Sequence, residues 1–254
     1  MRTPLAARIF AFSLVGLSSA GAHAAETMIA VAANFTEPAR EIASEFEEQT
    51  GHTAVLSFGS TGQLYTQIEQ GAPFDVFLAA DSDRPALALE EGLAVEGSAF
   101  TYAIGAIVLY SPDVDLVAGA ETLQDGDFSR LAIANPQTAP YGAGAVEAMR
   151  KLGVFDALQP KLVRGNNIAQ AYQFVETGNA ELGFVASSQV VDKAGSKWFV
   201  PADLYSAVRQ DAVLLKEGEE DEAAKAFVEF LQGPAARSII QRYGYELDTQ
   251  EPRT

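Results

Sequence analysis

Thr27-Met28-Ile29-Ala30-Val31-Ala32-Ala33-Asn34-Phe35-Thr36-Glu37-Pro38-Ala39-Arg40 runs as an unbroken apolar strand and turns, within a few residues, into the start of a helix. Beyond it, Ala39, Ile42, Ala43 and Phe46 recur on one helical face until Gly51 stops the pattern. The spacing predicts a strand over 27–33 and a helix over 35–49. The same unit follows twice more, as strand 53–58 with helix 62–70 and strand 74–80 with helix 85–91. Strands and helices in strict alternation mark a parallel sheet covered by helices on both faces.

The middle of the chain repeats the plan, with strands over 103–110, 130–134, 161–164 and 182–186 and helices over 144–152 and 168–177. A helical turn at Ser187-Ser188, a strand over 210–215 and helices over 222–231 and 235–243 complete it. The expected architecture is α/β with two lobes, each a mainly parallel sheet flanked by helices. Lobe I takes 25–102 and 208–254, and lobe II takes 103–207. In open sheets of this kind a ligand sits beyond the carboxyl ends of the strands, here in the cleft between lobes.

Residues 1–24 have the form of an export leader. Arg2 and Arg8 are its basic region, 9–17 its apolar stretch, and Ala22-His23-Ala24 a small-x-small cleavage site. The apolar run is broken by Ser13 and Gly16 and falls short of the ~20 residues a membrane span needs. Loss of Arg2 and Arg8 deepens the formal net charge from −17 to −19, which argues against nucleic acid and anionic membranes as partners. There is no cysteine, and once His23 has left only His52 remains. Disulfides, thiol chemistry and histidine-rich metal sites are thereby excluded.

Two short uncharged turns, Ala32-Ala33-Asn34-Phe35-Thr36 and Ser57-Phe58-Gly59-Ser60-Thr61-Gly62, place hydroxyl, amide and backbone N–H groups at helix starts. Helix starts bind anions without a cation. The same residues also fit plain capping, Asn34 with Glu37 as a capping box and Thr61 as an N-cap, and the two roles are compatible. Asp75 and Asp81 resemble an acid pair. The structural alternative makes Asp75 a hydrogen-bond acceptor and Asp81 the cap of the following helix. Trp198 is expected to pack, and the acidic run 217–222 to lead into a helix.

Four motifs in order carry a resemblance: Ala32-Ala33-Asn34-Phe35-Thr36, Phe58-Gly59-Ser60-Thr61-Gly62-Gln63, Gly71-Ala72-Pro73-Phe74-Asp75-Val76-Phe77-Leu78-Ala79-Ala80-Asp81, and Gly233-Pro234-Ala235-Ala236 with Arg242-Tyr243-Gly244. Together they resemble the periplasmic molybdate-binding proteins of ABC importers. The resemblance implies a type II periplasmic binding-protein fold and a periplasmic monomer that delivers molybdate or tungstate to a membrane permease, without a cofactor or direct metal-ion ligands. It carries the anion contacts onto Asn34, Ser60, Thr61, Tyr141 and the backbone of Ile168, with Ala33 and Asn167 as further candidates. Many members bind the anion through a Tyr at the position of Ala186, and an Asn-containing branch uses a Tyr at the position of Tyr141 instead. This chain therefore follows the Asn/Tyr pattern.

Neutral donors suit a fully ionised tetrahedral dianion, whereas protonated phosphate needs an acceptor. The near rival is a sulfate or thiosulfate receptor. The rival from another class is an exported hydrolase built on Asp75 and Asp81.

Overall fold

The structure, a computed structural model, describes residues 24–248. The expected leader lies outside the described residues but for Ala24, as does the segment 249–254. β1 (Glu26–Ala32) enters a 3-10 turn (Ala33–Phe35) and then α1 (Thr36–Thr50), which Gly51 closes in the left-handed region at φ 77°. β2 (Thr53–Gly59), α2 (Thr61–Glu69), β3 (Val76–Leu78) and α3 (Asp83–Glu90) follow where periodicity places them. Next come β4 (Phe100–Gly105), β5 (Ile107–Ser111), α4 (Ala120–Asp125) and β6 (Leu131–Ala134). α5 (Pro140–Lys151), α6 (Phe155–Leu158), β7 (Leu162–Gly165), α7 (Ile168–Glu176) and β8 (Leu182–Ala186) build the second sheet with its helices. β9 (Ser196–Phe199), β10 (Val208–Leu214), α8 (Glu222–Gln232) and α9 (Pro234–Arg242) complete the described chain.

Two five-stranded sheets result, in the orders β2-β1-β3-β10-β4 and β7-β6-β8-β5-β9. In the first, β10 alone runs against its neighbours, and in the second β5 does. Each sheet is thus mainly parallel, as expected. The apolar faces of α1, α8 and α9 pack on one side of the first sheet, through Ile42, Phe46, Phe227 and Ile240. Leu64 and Ile68 of α2 pack with Ala88 of α3 in a separate cluster, against Phe77 and Val213.

Three local expectations are corrected. The single strand over 103–110 is two strands parted at Ala106, because the chain leaves the ladder of one sheet there and joins that of the other. The helix expected from 144 begins at Pro140, since proline lacks the N–H that the first helical position would leave unpaired. Its glycines are packing residues rather than breakers: a Cβ at Gly142 would strike the Ala134 carbonyl, and one at Gly144 the Ile107 side chain. β9 was not anticipated; its Trp198 pairs opposite Leu109 and packs on the core, as expected of that residue.

The two aspartates are engaged separately. Asp75 accepts from Met28 N–H at 2.6 Å and from the Thr27 hydroxyl at 3.2 Å, tying the start of β1 to the segment before β3. Asp81 accepts from Arg84 N–H at 3.0 Å in the first turn of α3 and pairs with its guanidinium. Burial pushes the Asp81 carboxyl up, and its bonds to Arg84 oppose that. No helix among the described residues is long and apolar enough to cross a membrane. Replacing Asp75 by Ala leaves the Met28 N–H without its partner and should destabilise the fold by about 1–3 kcal/mol, measured by urea unfolding. A loss below the error of the titration would remove Asp75 from the structural framework.

Candidate functional site

β1 and β2 of the first sheet and β6 and β7 of the second end at one small, tightly closed cavity. Ala33, Asn34, Ser60, Thr61, Tyr141, Asn167 and Ile168 all line it. The sequence-derived candidates from both halves of the chain are thus brought together, and Ala186, at the end of β8, is not among the lining residues. The other walls are small residues, among them Ala32, Gly59, Ala80 and Ala139, which chemistry-seeking inspection of a sequence passes over. Among the described residues, no Asp, Glu, Lys, Arg or His lines the cavity. His52 lies at the opposite end of the first sheet, where its Nδ1 accepts from Ala25 N–H.

Four helical starts face this space: the 3-10 turn leading into α1, and the first residues of α2, α5 and α7. The first N–H groups of a helix have no partner within it, and each start carries about half a unit of positive charge. No side chain caps the 3-10 turn, α2 or α5. The capping roles open to Asn34 and Thr61 are therefore not the ones they adopt. Only at α7 does a cap form, where Asn167 accepts from Gln170 N–H at 2.9 Å.

Each candidate side chain has a definite partner. Ser60, in extended conformation before α2, donates to Gln63 Oε1 at 2.9 Å. The Thr61 hydroxyl accepts from Ala80 N–H at 3.0 Å, which leaves its hydrogen free to donate. Asn34 Nδ2 donates to Gln210 Oε1 at 2.7 Å and to the Tyr245 hydroxyl at 3.0 Å, so both its side-chain donors point into the protein. What Asn34 offers the cavity is its place in the first helical turn.

Tyr141, on the first turn of α5 rather than on a strand, is 1% exposed, and its hydroxyl lies against Gly105 at the end of β4. Burial, with the nearby Tyr245 adding to it, pushes the Tyr141 phenol well above its ordinary value; burial does the same to Tyr102. These groups stay protonated donors at any physiological pH.

The two halves touch directly around the cavity. Gly62 N–H donates to the Thr138 carbonyl at 2.9 Å, and the Ser188 hydroxyl to the Asn34 carbonyl at 3.0 Å. Sequence inspection missed the polar group behind the cavity, made by Tyr102, Ser188, Gln210 and Tyr245. The available signal was alternation along β10, where Val208, Gln210 and Ala212 share one buried face.

Residues 27–246 match the family described as bacterial extracellular solute-binding protein. The chain belongs to this family. It is 58% identical over 225 residues to the molybdate-binding protein ModA of Rhodobacter capsulatus, covering 88% of this chain and 89% of that one. It is 54% identical over 238 residues to ModA of Azotobacter vinelandii, covering 91% and 94%. The solved structure of the Azotobacter vinelandii periplasmic molybdate-binding protein superposes with a TM-score of 0.85 at 39% identity, over 88% of this chain and all of that one. The fold is the type II periplasmic binding-protein fold, and these relatives of the solute-binding family are named for binding, not for catalysis.

A Cβ at Gly105 would overlap the Tyr141 hydroxyl. Gly105→Ala should destabilise by about 1–3 kcal/mol in thermal unfolding, and adding Tyr141→Phe should restore part of the loss by removing the nearer clashing oxygen, the Gln210 amide remaining in contact. Additive penalties would show that the glycine serves another purpose.

Proposed function

We propose that this protein binds molybdate, and tungstate, outside the cytoplasm and delivers it to an ABC permease on the outer face of the inner membrane. The observation that carries the proposal is the cavity itself: four helical starts and neutral donors, with no charged side chain, in a chain 58% identical to a molybdate-binding protein. The anion contacts would come from the Thr61 and Tyr141 hydroxyls, from the Ser60 hydroxyl once it turns from Gln63, and from backbone N–H groups at Asn34 and Ile168. Ala33 and Asn167 complete the same turns, Asn167 by holding the start of α7.

Hydrogen bonds to an ionised acceptor contribute about 1.5–3 kcal/mol each net, so a handful reaches the ~10–12 kcal/mol of a tight receptor after desolvation and closure. Four half-charges from helix starts also oppose a dianion with a charge of comparable size. A lining of neutral donors with no carboxylate suits a fully ionised tetrahedral anion and offers protonated phosphate no charged acceptor for its proton. The protein is not an enzyme on this reading, because the aspartates of the hydrolase alternative are each committed to framework bonds.

The lobes, divided in the sequence as 25–102 with 208–254 and 103–207 but with Ala103–Gly105 held in β4 of the first sheet, would close on the ligand by a hinge at the chain crossings near Ala106 and before β10. The chain would act as a monomer, exported through the leader 1–24. A closed, loaded form is what the permease would distinguish from the empty receptor.

Calorimetric titration of ligand-stripped protein should give tight binding of molybdate and tungstate and weaker binding of sulfate. Tighter sulfate binding would favour the sulfate-receptor alternative. Tyr141→Phe should weaken molybdate binding by about 1–3 kcal/mol. Because burial keeps the Tyr141 phenol protonated, wild-type affinity should stay flat between about pH 6 and about pH 9. A fall within that window would implicate a titrating ligand group.

A further inference from the structure

Gln210 is wholly buried on β10, the strand by which the chain returns to the first sheet. Its Oε1 accepts from Asn34 Nδ2 at 2.7 Å and lies 3.2 Å from the Tyr102 hydroxyl, whose hydrogen it shares with the nearer Ala79 carbonyl at 3.0 Å, while its Nε2 donates to the Tyr141 hydroxyl at 3.4 Å. The register of β10 against β4 shifts between Gln210 and Asp211, the kind of irregularity that re-aims a side chain beside a functional site. One amide therefore touches a cavity residue from each half of the molecule without lining the cavity itself.

The two ends of that amide are not equivalent. With Nε2 toward Tyr141, the phenol cannot donate its hydrogen to Gln210. The hydrogen is left for the neighbouring Tyr245 oxygen or for a ligand oxygen in the cavity. With Oε1 toward Asn34, one Nδ2 hydrogen is held by Gln210 and the other by Tyr245. The Asn34 carbonyl is fixed in turn by the Tyr245 hydroxyl at 2.8 Å and the Ser188 hydroxyl at 3.0 Å, which lie 2.9 Å from each other. Two hydroxyl hydrogens serve three contacts in this triangle, so in every arrangement the Asn34 carbonyl receives at least one.

We propose that Gln210 is a positioning residue for oxyanion capture: from the strand joining the lobes, its amide fixes Asn34 on one side of the cavity and presents the Tyr141 hydroxyl as a donor on the other. The inference rests on the cavity being the oxyanion site. Gln210 itself does not touch the ligand.

Gln210→Glu tests it with almost no change of shape. An ionised carboxylate turns the donor end into an acceptor, draws the Tyr141 hydrogen to itself and sets negative charge behind a dianion. A protonated one regains an O–H donor. The groups facing the position are the phenols of Tyr102, Tyr141 and Tyr245, with Arg209 and Asp211 adjacent on the strand and Asp81 acting on Tyr102. Wild type carries all of these and is the control.

Molybdate affinity of Gln210→Glu should be at least about thirtyfold weaker than wild type at about pH 8, and the gap should narrow at least about fivefold at about pH 5.5. Gln210→Met should bind about tenfold more weakly at both pH values, and it keeps the test open if the charged variant fails to fold in circular dichroism. Combined with Tyr141→Phe, Gln210→Met should bind no more than about threefold more weakly than the weaker single variant, because both disable one donor. Gln210→Glu within about twofold of wild type at pH 8, a gap that ignores pH, or additive penalties in the double variant would each overturn the positioning role. No binding of molybdate, tungstate or sulfate by wild type would overturn the assignment of the cavity, and this inference with it.

Discussion

The first amides of a helix cannot be satisfied within the helix, and in this protein four such starts are turned toward one small space. That constraint explains features otherwise unconnected. The lining must be small, hence alanines and glycine, so that backbone can approach whatever fills the cavity. The strands feeding the helices must end at one level, hence the in-register ladder from Glu26 opposite Thr53 to Ala32 opposite Gly59. The starts must stay free of side-chain caps, and three of the four do.

A chain with a net charge of −17 is a poor place for an anion if only the summed field is considered. The cavity reverses that locally with fixed dipoles rather than with lysine or arginine. The distinction matters for selectivity, because a guanidinium or ammonium attracts any anion that can reach it. Backbone amides and hydroxyls in fixed directions favour the anion whose oxygens meet them. The donors need rigid support, and the buried amide of Gln210, with the hydroxyls around it, supplies that behind the site.

Much of this was legible in the sequence because the signals were local. Apolar runs and helical spacing place the first three strands and α1, and Gly51 marks the end of that helix with a conformation other residues avoid. The seven cavity candidates, reached through turn chemistry and family resemblance, fall together. What stayed hidden depends on contacts distant in sequence. The parting of β4 from β5 at Ala106 is invisible to periodicity because both pieces are apolar and extended. Gln210 opens the strand expected over 210–215, but between Arg209 and Asp211 nothing marks its amide as buried until the fold covers it. Asn34 was legible as a candidate, and it lines the cavity, but not the direction of its amide, which Gln210 and Tyr245 decide.

The placement of Tyr245 has a consequence for how the molecule is made. The first sheet lacks the strand between β3 and β4 until residues 208–214 have been synthesised, and Glu246 pairs with Ile104 later still. The hydroxyl that supports Asn34 thus follows every described strand of both sheets. A growing polypeptide cannot complete either the first sheet or the floor of its cavity until residues 208–246 have emerged. Because these pairings join residues far apart in sequence, the loop-closure cost of the first sheet and of the cavity floor falls on the same late contacts.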